Sequence, residues 1–395
     1  MTSRRILLGV TGGIAAYKSA ELVRLLKKAG HEVEVVMSES AERFVTPVTF
    51  QALSGNAVFT SVWDPRTDNA MGHIELSRRA DVFLIAPATA DMLFKIAHGA
   101  CDDLISTLAA ARTCPLVVAP AMNKQMWQNP ANQRNVAQLI ADGVQVFGPA
   151  AGEQACGEVG DGRMLEPEDI VDLLDGVFTE KRLAGQTVLM TAGPTFEPID
   201  PVRGITNISS GKMGYALARA CRDAGADVVL VSGPTALPPP VGVRTIPVTT
   251  ALEMHEAVLA EVGRCSVFIG VAAVADYRVV NRAEHKIKKE GHEAPVIELV
   301  ENPDILAFVA NLPNAPFCVG FAAESQNLLE FADAKRRRKK VPLLVANLAQ
   351  QAMGSDVNDV VLLDDAGTYP LPAADKREVA HAIVRHLAAR LAARR

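Results

Sequence analysis

The 395-residue chain has no stretch both apolar and long enough to span a bilayer. Its start, MTSRRILLGV, offers only a short apolar run before Thr11-Gly12-Gly13, too little for a signal-peptide core. Cysteine is sparse: six residues, at 101, 114, 156, 221, 265 and 318, with no C-x-x-C pair and no matching His spacing. That scatter argues against a structural zinc site and for a reducing compartment, so the expected location is cytoplasmic. A net charge of −5 leaves no electrostatic footprint for nucleic acid or an anionic membrane. Two phosphate-binding patterns are also missing: G-x-G-x-x-G followed by a ribose acid, and the G-x-x-x-x-G-K of a Walker A loop. What remains is an ordinary globular composition, 49% hydrophobic and 22% charged, on a chain too long for one core. Two domains are expected.

The first half reads as strand, Gly turn, helix, strand. Ile6–Val10 is apolar, and Thr11-Gly12-Gly13-Ile14 turns it into a helix running to about Ala29. Leu22, Leu25 and Leu26 form that helix's stripe, Gly30 stops it, and Val33–Met37 is the next strand. Such an opening exposes backbone N–H groups at a helix N-terminus, where phosphate is stabilised. Because Ser38 stands where a ribose acid would be needed, a mononucleotide such as FMN fits better than a dinucleotide. Val82–Ala86 is another buried strand, ending in the small residues Pro87-Ala88-Thr89-Ala90, which let a flat ring or a phosphate approach the backbone. Asp103–Arg112 reads as a helix, and Leu116–Ala119 as a buried strand that runs into PAMNKQMW, Pro120–Trp127. That octapeptide sits at a strand edge, where open α/β sheets bind ligands. It equally fits a strand-to-helix turn, with Asn123 as cap and Met122, Met126 and Trp127 as core filler. His73, in Gly72-His73-Ile74, likewise fits a satisfied structural histidine. Gly152–Met164 (GEQACGEVGDGRM) has four Gly, one Cys and no periodicity, which suits a mobile flap. Pro167–Phe178 closes the half as a helix.

In that order, TGGIAAYK, GHI, APATAD, PAMNKQMW and ACGEVGDGRM resemble the flavin-dependent cysteine decarboxylase family. The resemblance implies FMN at Gly12, Gly13, Ile14, Ser38, Thr89 and Ser106. It also implies the chemistry: an N-acylcysteine carboxylate has no electron sink, so the thiol is first oxidised to a thioaldehyde that accepts the electrons left by CO2. His73 is then the base or orienting group, Asn123 holds the substrate carboxylate, and Cys156 donates the proton for the final reduction from a flap that excludes water. Asp102 departs from the family's ANDL, where Asn is usual.

After a polar break, Lys181–Gln186, the pattern starts again: strand Thr187–Thr191, a helix from about Met213 to Ala224, Gly225, and strand Val228–Ser232. Two such openings predict an α/β fold of two tandem doubly wound (Rossmann/flavodoxin-like) three-layer domains, residues 1–181 and 182–395. The connecting loop TAGPTFEPIDPVRGITNISSGKMG is long enough to be functional. Its end, Ser209-Ser210-Gly211-Lys212, offers hydroxyls, N–H groups and a cation at a helix start. Val267–Val274 reads as a buried strand ending at Ala275-Asp276-Tyr277. Lys286-Ile287-Lys288-Lys289 follows where a triphosphate would need cations, although such clusters are commonly solvated. Asn302-Pro303-Asp304-Ile305 starts a helix, and Gly320–Glu324 ends a strand. The run KRRRKK, 335–340, lies on a helix between two strands and reads as an anion-facing or solvated helix end rather than a nucleic-acid patch. Val379, Ile383, Leu387 and Leu391 give the last helix a packed stripe.

TAGPT, DPVR, TNISSGKMG, AAVADYR, KIKK, NPDI and GFAAE resemble the phosphopantothenate–cysteine ligase family. With the first half, the match is to bifunctional coenzyme A biosynthesis proteins that fuse this ligase to phosphopantothenoylcysteine decarboxylase. The resemblance implies that 4′-phosphopantothenate, cysteine and CTP react through an acyl-cytidylate to phosphopantothenoylcysteine, which is decarboxylated to 4′-phosphopantetheine. Activation is needed because a carboxylate is a poor electrophile; Mg2+, held mainly by CTP phosphates and water, and Lys neutralise the charge. By position Asn207 belongs to the acyl-cytidylate step and Lys286 is the cation on the triphosphate. Gly270, Val271, Ala272, Asp276, Pro303, Asp304, Ile305, Leu306, Phe321, Lys335 and Lys339 fall on nucleotide-binding positions. A homo-oligomer of decarboxylase trimers linked by ligase dimers is implied too. Phe196 stands for an expected Arg, Ile208 for His, and Pro342 and Leu348 for acids. Two other readings compete: a flavin-binding regulator or electron carrier with an inactive ligase-like domain, and a tandem nucleotide-dependent dehydrogenase. The missing G-x-G-x-x-G disfavours the latter.

Overall fold

The computed structural model describes residues 3–63, 72–155, 157–288, 296–324, 328–348 and 357–394. The chain divides into two compact units, Met1–Phe178 and Thr179–Arg395. That division falls slightly before the expected break at Lys181. Lys181 Nζ donates to the Asp223 carbonyl at 2.8 Å, which ties it to the second unit.

In the first unit β1 (Arg5–Val10), β2 (Glu32–Met37), β3 (Val58–Phe59), β4 (Val82–Ala88), β5 (Leu116–Pro120) and β6 (Gln145–Val146) form one parallel sheet. Their order is β3-β2-β1-β4-β5-β6. β4 and β5 are buried along their whole length, as strands covered on both faces must be. Right-handed crossovers put the helices before and after the β1/β4 reversal on opposite faces. On one side α1 (Ala16–Lys28), with Leu22, Val23 and Leu26 fully buried, packs against α2 (Pro47–Ser54). On the other, Leu7, Phe83, Ile85, Leu116 and Val118 meet side chains of α3 (Gly72–Arg79), α4 (Ala90–Ala97) and α5 (Leu104–Ala111). A short α6 (Lys124–Gln128) and α7 (Pro130–Ala141) follow, and α8 (Pro167–Phe178) returns to α1. The segment expected as a flap carries an antiparallel hairpin of β7 (Ala150–Glu153) and β8 (Val159–Arg163).

The second unit opens with β9 (Thr187–Ala192). The long loop after it contains a small antiparallel hairpin, β10 (Phe196–Pro198) and β11 (Gly204–Thr206), which the sequence did not announce. Phe196 packs across that hairpin: a Cβ on Gly204 would lie 2.4 Å from its ring. Then come α9 (Lys212–Asp223), β12 (Asp227–Ser232), β13 (Arg244–Pro247), α10 (Ala251–Val262) and β14 (Val267–Gly270). Next are the paired β15 (Tyr277–Val279) and β16 (Leu299–Glu301), α11 (Ile305–Ala310), β17 (Phe317–Glu324) and α12 (Leu328–Lys339). β18 (Leu343–Leu348), β19 (Val357–Asp364), β20 (Gly367–Asp375) and a final α13 (Lys376–Ala392) complete it. The main sheet has eight strands in the order β13-β12-β9-β14-β17-β18-β19-β20. Its last two strands run antiparallel, an addition to the doubly wound core. Strand alternation sorts the core: Val188 and Met190 face α9 and α13, whereas Leu189 faces α10 and α11.

One expected strand is shorter than Val267–Val274. β14 ends at Gly270, because the next residues leave the sheet to bond the loop after β9: Ala273 N donates to Gly193 O (2.9 Å) and Ala275 N to Thr195 Oγ1 (2.9 Å). Among the described residues, no helix is long and apolar enough to cross a membrane, and the five described cysteines are free thiols.

Candidate active sites

In the first unit the strand order reverses between β1 and β4, and the turns leaving these two strands are sewn together. Thr11 Oγ1 donates to the Pro87 carbonyl (2.7 Å) and accepts from Thr89 N (3.1 Å). Gly12 lies so close to the turn after β2 that a Cβ there would meet Ser40 Oγ at 2.3 Å. Two cavities open at this edge and share Thr89. One, about 700 Å³, is lined by Gly12, Gly13, Ile14, Met122 and Asn123; the other, about 740 Å³, by Ser38, Ser40, Arg43 and Lys95.

Pro120–Trp127 leaves β5 beside the larger apolar wall, and the glycine hairpin is docked on it. Met122 N donates to Gly162 O (2.9 Å) and Lys124 N to Gln154 Oε1 (3.0 Å). The glycines make this approach possible. A Cβ on Gly162 would sit 2.4 Å from Met122 O, and one on Gly160 2.5 Å from Lys124 Cδ. Asn123 satisfies both sequence readings: it caps α6, its Oδ1 accepting from Gln125 N (2.8 Å), and it lines the cavity. Its Nδ2 donates to Glu158 Oε2 at 2.6 Å. Met122 and Trp127 pack against the core as filler, but Met126 is 47% exposed.

Ser106 lines neither cavity itself but hydrogen-bonds Asp103 and Asp102, which line the second. It is buried in the capping box of α5, its Oγ accepting from Asp103 N. Asp102, the departure from Asn, is answered by Lys95, which reaches Asp103 (2.8 Å), Asp102 (3.1 Å) and Asp91 (3.5 Å). Burial alone would lower the lysine's pKa; the carboxylates outweigh it and hold the ammonium well above its usual value. His73 lies in α3, but its side chain, like all of Cys156, is outside the described residues.

The second unit repeats the arrangement where its order reverses, between β9 and β14. A cavity of about 430 Å³ is lined there by Gly270, Ala272, Asp276, Phe321, Lys335 and Lys339, together with Pro303, Asp304, Ile305 and Leu306. Val271 instead turns toward the core around α9. Side-chain amides shape the cavity wall: Asn302 Nδ2 donates to Ala275 O (2.8 Å), and Asn207 Nδ2 to Ala273 O and Val274 O (3.1 Å each). Asp304 caps α11 through Ala307 N and pairs with Lys339 at 2.7 Å. Burial raises its pKa, but the lysine and the N–H prevail and hold the carboxyl below the usual range. Lys286 is exposed and lies outside this wall. Its neighbour Ile287 is pinned at both backbone groups: Asp200 accepts from its N–H (3.2 Å), and Arg203 donates to its carbonyl (2.9 Å). Five hydrogen bonds, two from the Arg203 guanidinium and one each from the N–H groups of Val202, Arg203 and Ile287, keep buried Asp200 far below the ordinary carboxylate range, the Arg203 guanidinium first among them.

The Flavoprotein family profile matches residues 1–179, and that of the DNA/pantothenate metabolism flavoprotein C-terminal domain matches 183–391. The coenzyme A biosynthesis bifunctional protein CoaBC of Vibrio cholerae is 50% identical over 389 residues, covering 97% of this chain and 98% of that protein. Its Escherichia coli K12 counterpart is 48% identical over 379 residues, covering 94% and 93%. A crystal structure of the C-terminal domain of a CoaBC protein is 41% identical over 54% of this chain and 98% of that one, with a TM-score of 0.47. The chain belongs to the coenzyme A biosynthesis bifunctional protein family.

Both parts of that family are therefore present in one chain. Several site residues of this family member escaped the sequence reading. Thr11 looked like part of a Gly turn, and only the neighbouring strand shows its hydroxyl joining two turns. Gln154 and Glu158 were hidden in a segment read as aperiodic; the spacing of Gly160 and Gly162 was the available signal for a hairpin in close contact. Asp200 and Arg203 stand in the DPVR motif but carry no role from sequence alone; an Asp-Pro-x-Arg turn favours side-chain to backbone bonds.

Proposed function

We propose that this chain makes 4′-phosphopantetheine in two steps, ligation in the second unit and FMN-dependent decarboxylation in the first. The observation that carries the reading is the doubled switch-point site, each copy lined by residues at family positions. In the first, Gly12, Gly13, Ile14, Thr89 and Asn123 converge; in the second, Asp276, Asp304, Phe321, Lys335 and Lys339 do.

The first site fits FMN by its donor set. Small residues and Thr89 admit a flat ring against the backbone, and Ser38, Ser40 and Arg43 suit a phosphate. When bound, FMN supplies the two-electron chemistry that gives the cysteine carboxylate its electron sink. Asn123 holds the acid, and the hairpin over Pro120–Trp127 keeps water away. His73 takes or orients the thiol proton, and Cys156 delivers the last proton; both roles rest on the family motif.

In the second unit Lys335 and Lys339 face the CTP phosphates, and Lys286 steadies charge as the 4′-phosphopantothenate carboxylate attacks the α-phosphate. Asn207 acts at the acyl-cytidylate step, and the cysteine amine then displaces CMP; the Asn207 amide already fixes two carbonyls on the cavity wall. Among the described residues no group of three His, Cys, Asp or Glu could hold a metal, and in this reading Mg2+ enters with the CTP phosphates and water. In this reading the chain assembles as decarboxylase trimers joined by ligase dimers. The decisive assay is sustained pyrophosphate release. It should require CTP, 4′-phosphopantothenate and cysteine together and yield 4′-phosphopantetheine by mass from a protein with an FMN spectrum. Equal turnover with ATP, or turnover without cysteine, would overturn the ligase reading.

A further inference from the structure

We propose that Glu158 occupies the seat of the substrate carboxylate, and that Gln125 is the seat's second donor beside Asn123. Asn123 Nδ2 donates to Glu158 Oε2 at 2.6 Å, and Gln125 Nε2 donates to Glu158 Oε1 at 3.0 Å. One amide therefore meets each oxygen of a single carboxylate, the two-point pattern by which neutral donors receive an acid. The orientation of Asn123 is fixed from its other side, where Oδ1 accepts from Gln125 N and caps α6. Glu158 is brought there by the hairpin: Gln154 N donates to Glu158 O (2.8 Å), and Met122 N to Gly162 O (2.9 Å).

The inference rests on the reading that Asn123 receives the acid of phosphopantothenoylcysteine, and it adds a competitor to that reading. Glu158 and the substrate acid, two carboxylates, cannot share these two amides without repulsion, since Asn123 and Glu158 are half-buried even though Gln125 is exposed. Binding of the acid therefore displaces Glu158. A Glu158 that stayed in place to aim Asn123 at the substrate would have the opposite effect on affinity.

The test uses the full-length FMN-bound protein and two ligands: phosphopantothenoylcysteine, read by its KM in decarboxylation, and the product 4′-phosphopantetheine, which lacks the acid, read by its inhibition constant. Glu158→Gln should lower the KM of the acid by about tenfold and leave the product constant unchanged, since a neutral amide competes weakly. Gln125→Leu should raise the KM of the acid by a similar factor, again without effect on the product. A higher or unchanged KM in Glu158→Gln, or an equal shift for both ligands, overturns the proposal. Asn123→Ala tells which premise failed. If it keeps the wild-type preference between the two ligands, Asn123 does not seat the acid and the underlying reading falls too. If it abolishes that preference while Glu158→Gln does not lower the KM, only the displacement is wrong.

Discussion

The two units set their cavities at the same place in the fold and furnish them differently. In each, the sheet reverses beside its first strand, and the loops at that reversal form the walls. The first unit lines its cavity mainly with glycine and apolar side chains around Thr89 and Asn123, and one wall is a hairpin docked through Met122 N and the Gln154 side chain. The second uses lysines and carboxylates, with a buried Asp200 holding the lysine-bearing stretch. Topology decides where a ligand is taken; the loops decide whether it is a flat ring with an acid or a polyphosphate.

The largest effect should come from the cations of the second site. In the proposed role of Lys286, Lys286→Gln removes a charge from the phosphoryl step and should cost on the order of 3 kcal/mol, roughly a hundredfold in ligase kcat. Lys339→Gln, on the cavity wall, should instead raise the KM for CTP. Decarboxylation should be untouched by either. Steady-state kinetics of both activities check this; a kcat loss that follows Lys339 and not Lys286 reverses the two roles.

The next test probes hairpin docking in the first unit. Gly162 has φ +137°, and a Cβ on it would meet Met122 O at 2.4 Å, so Gly162→Ala must push the hairpin off the strand end. A strain of about 1–3 kcal/mol should lower decarboxylation by about tenfold or more and spare ligation. Gly233→Ala is the converse, since its Cβ would lie 1.8 Å from the Pro194 carbonyl in the second unit. If each variant impaired both activities equally, the units would not be working as separate sites.

These glycines also show what was legible in the sequence. Buried parallel strands such as Leu116–Pro120 announce themselves as apolar runs, and so do the turns that end them. The hairpin shows only in the spacing of Gly160 and Gly162, because these glycines serve contacts with Met122 and Lys124 that lie far along the chain. Flexibility and close approach require the same residue. The run Val267–Val274 misled in the other direction: small apolar residues fit a strand or a cavity wall, and bonds to Gly193 and Thr195 decide between them. The roles proposed for Lys335 and Lys339 come only from family motifs, since a basic helix end looks the same whether it faces solvent or a phosphate. The structure adds that Arg336, within that run, is buried and paired with Asp333 and Asp365.

The boundary between the units gives a smaller effect. A fragment from Thr179 keeps the bond from Lys181 to Asp223 O, and one from Arg182 loses it. Both should ligate without flavin. The shorter should be less stable by about 1 kcal/mol, a Tm about 2–4 °C lower. Equal melting temperatures would mean that Lys181 adds nothing to the second unit.

The smallest effect separates helix capping from charge at the nucleotide site. Asp304 bonds Ala307 N and pairs with Lys339, and its carboxyl is held below the usual range. A depressed folded pKa means stabilisation that is complete above the unfolded value, about 3.9, and is lost as pH falls through the folded one. Asp304→Asn keeps a capping oxygen and removes the charge. Because the carboxylate is part-exposed and screened, the difference at pH 7 should be only about 0.5 kcal/mol. It should shrink as pH falls below the unfolded value and through the lower folded one, where the wild-type carboxyl becomes protonated as well. Urea unfolding of the second unit at pH 7, 5 and 3 follows this directly. A difference that persists undiminished at pH 3 would assign the stabilisation to the shape of the Asp304 side chain, not to its charge.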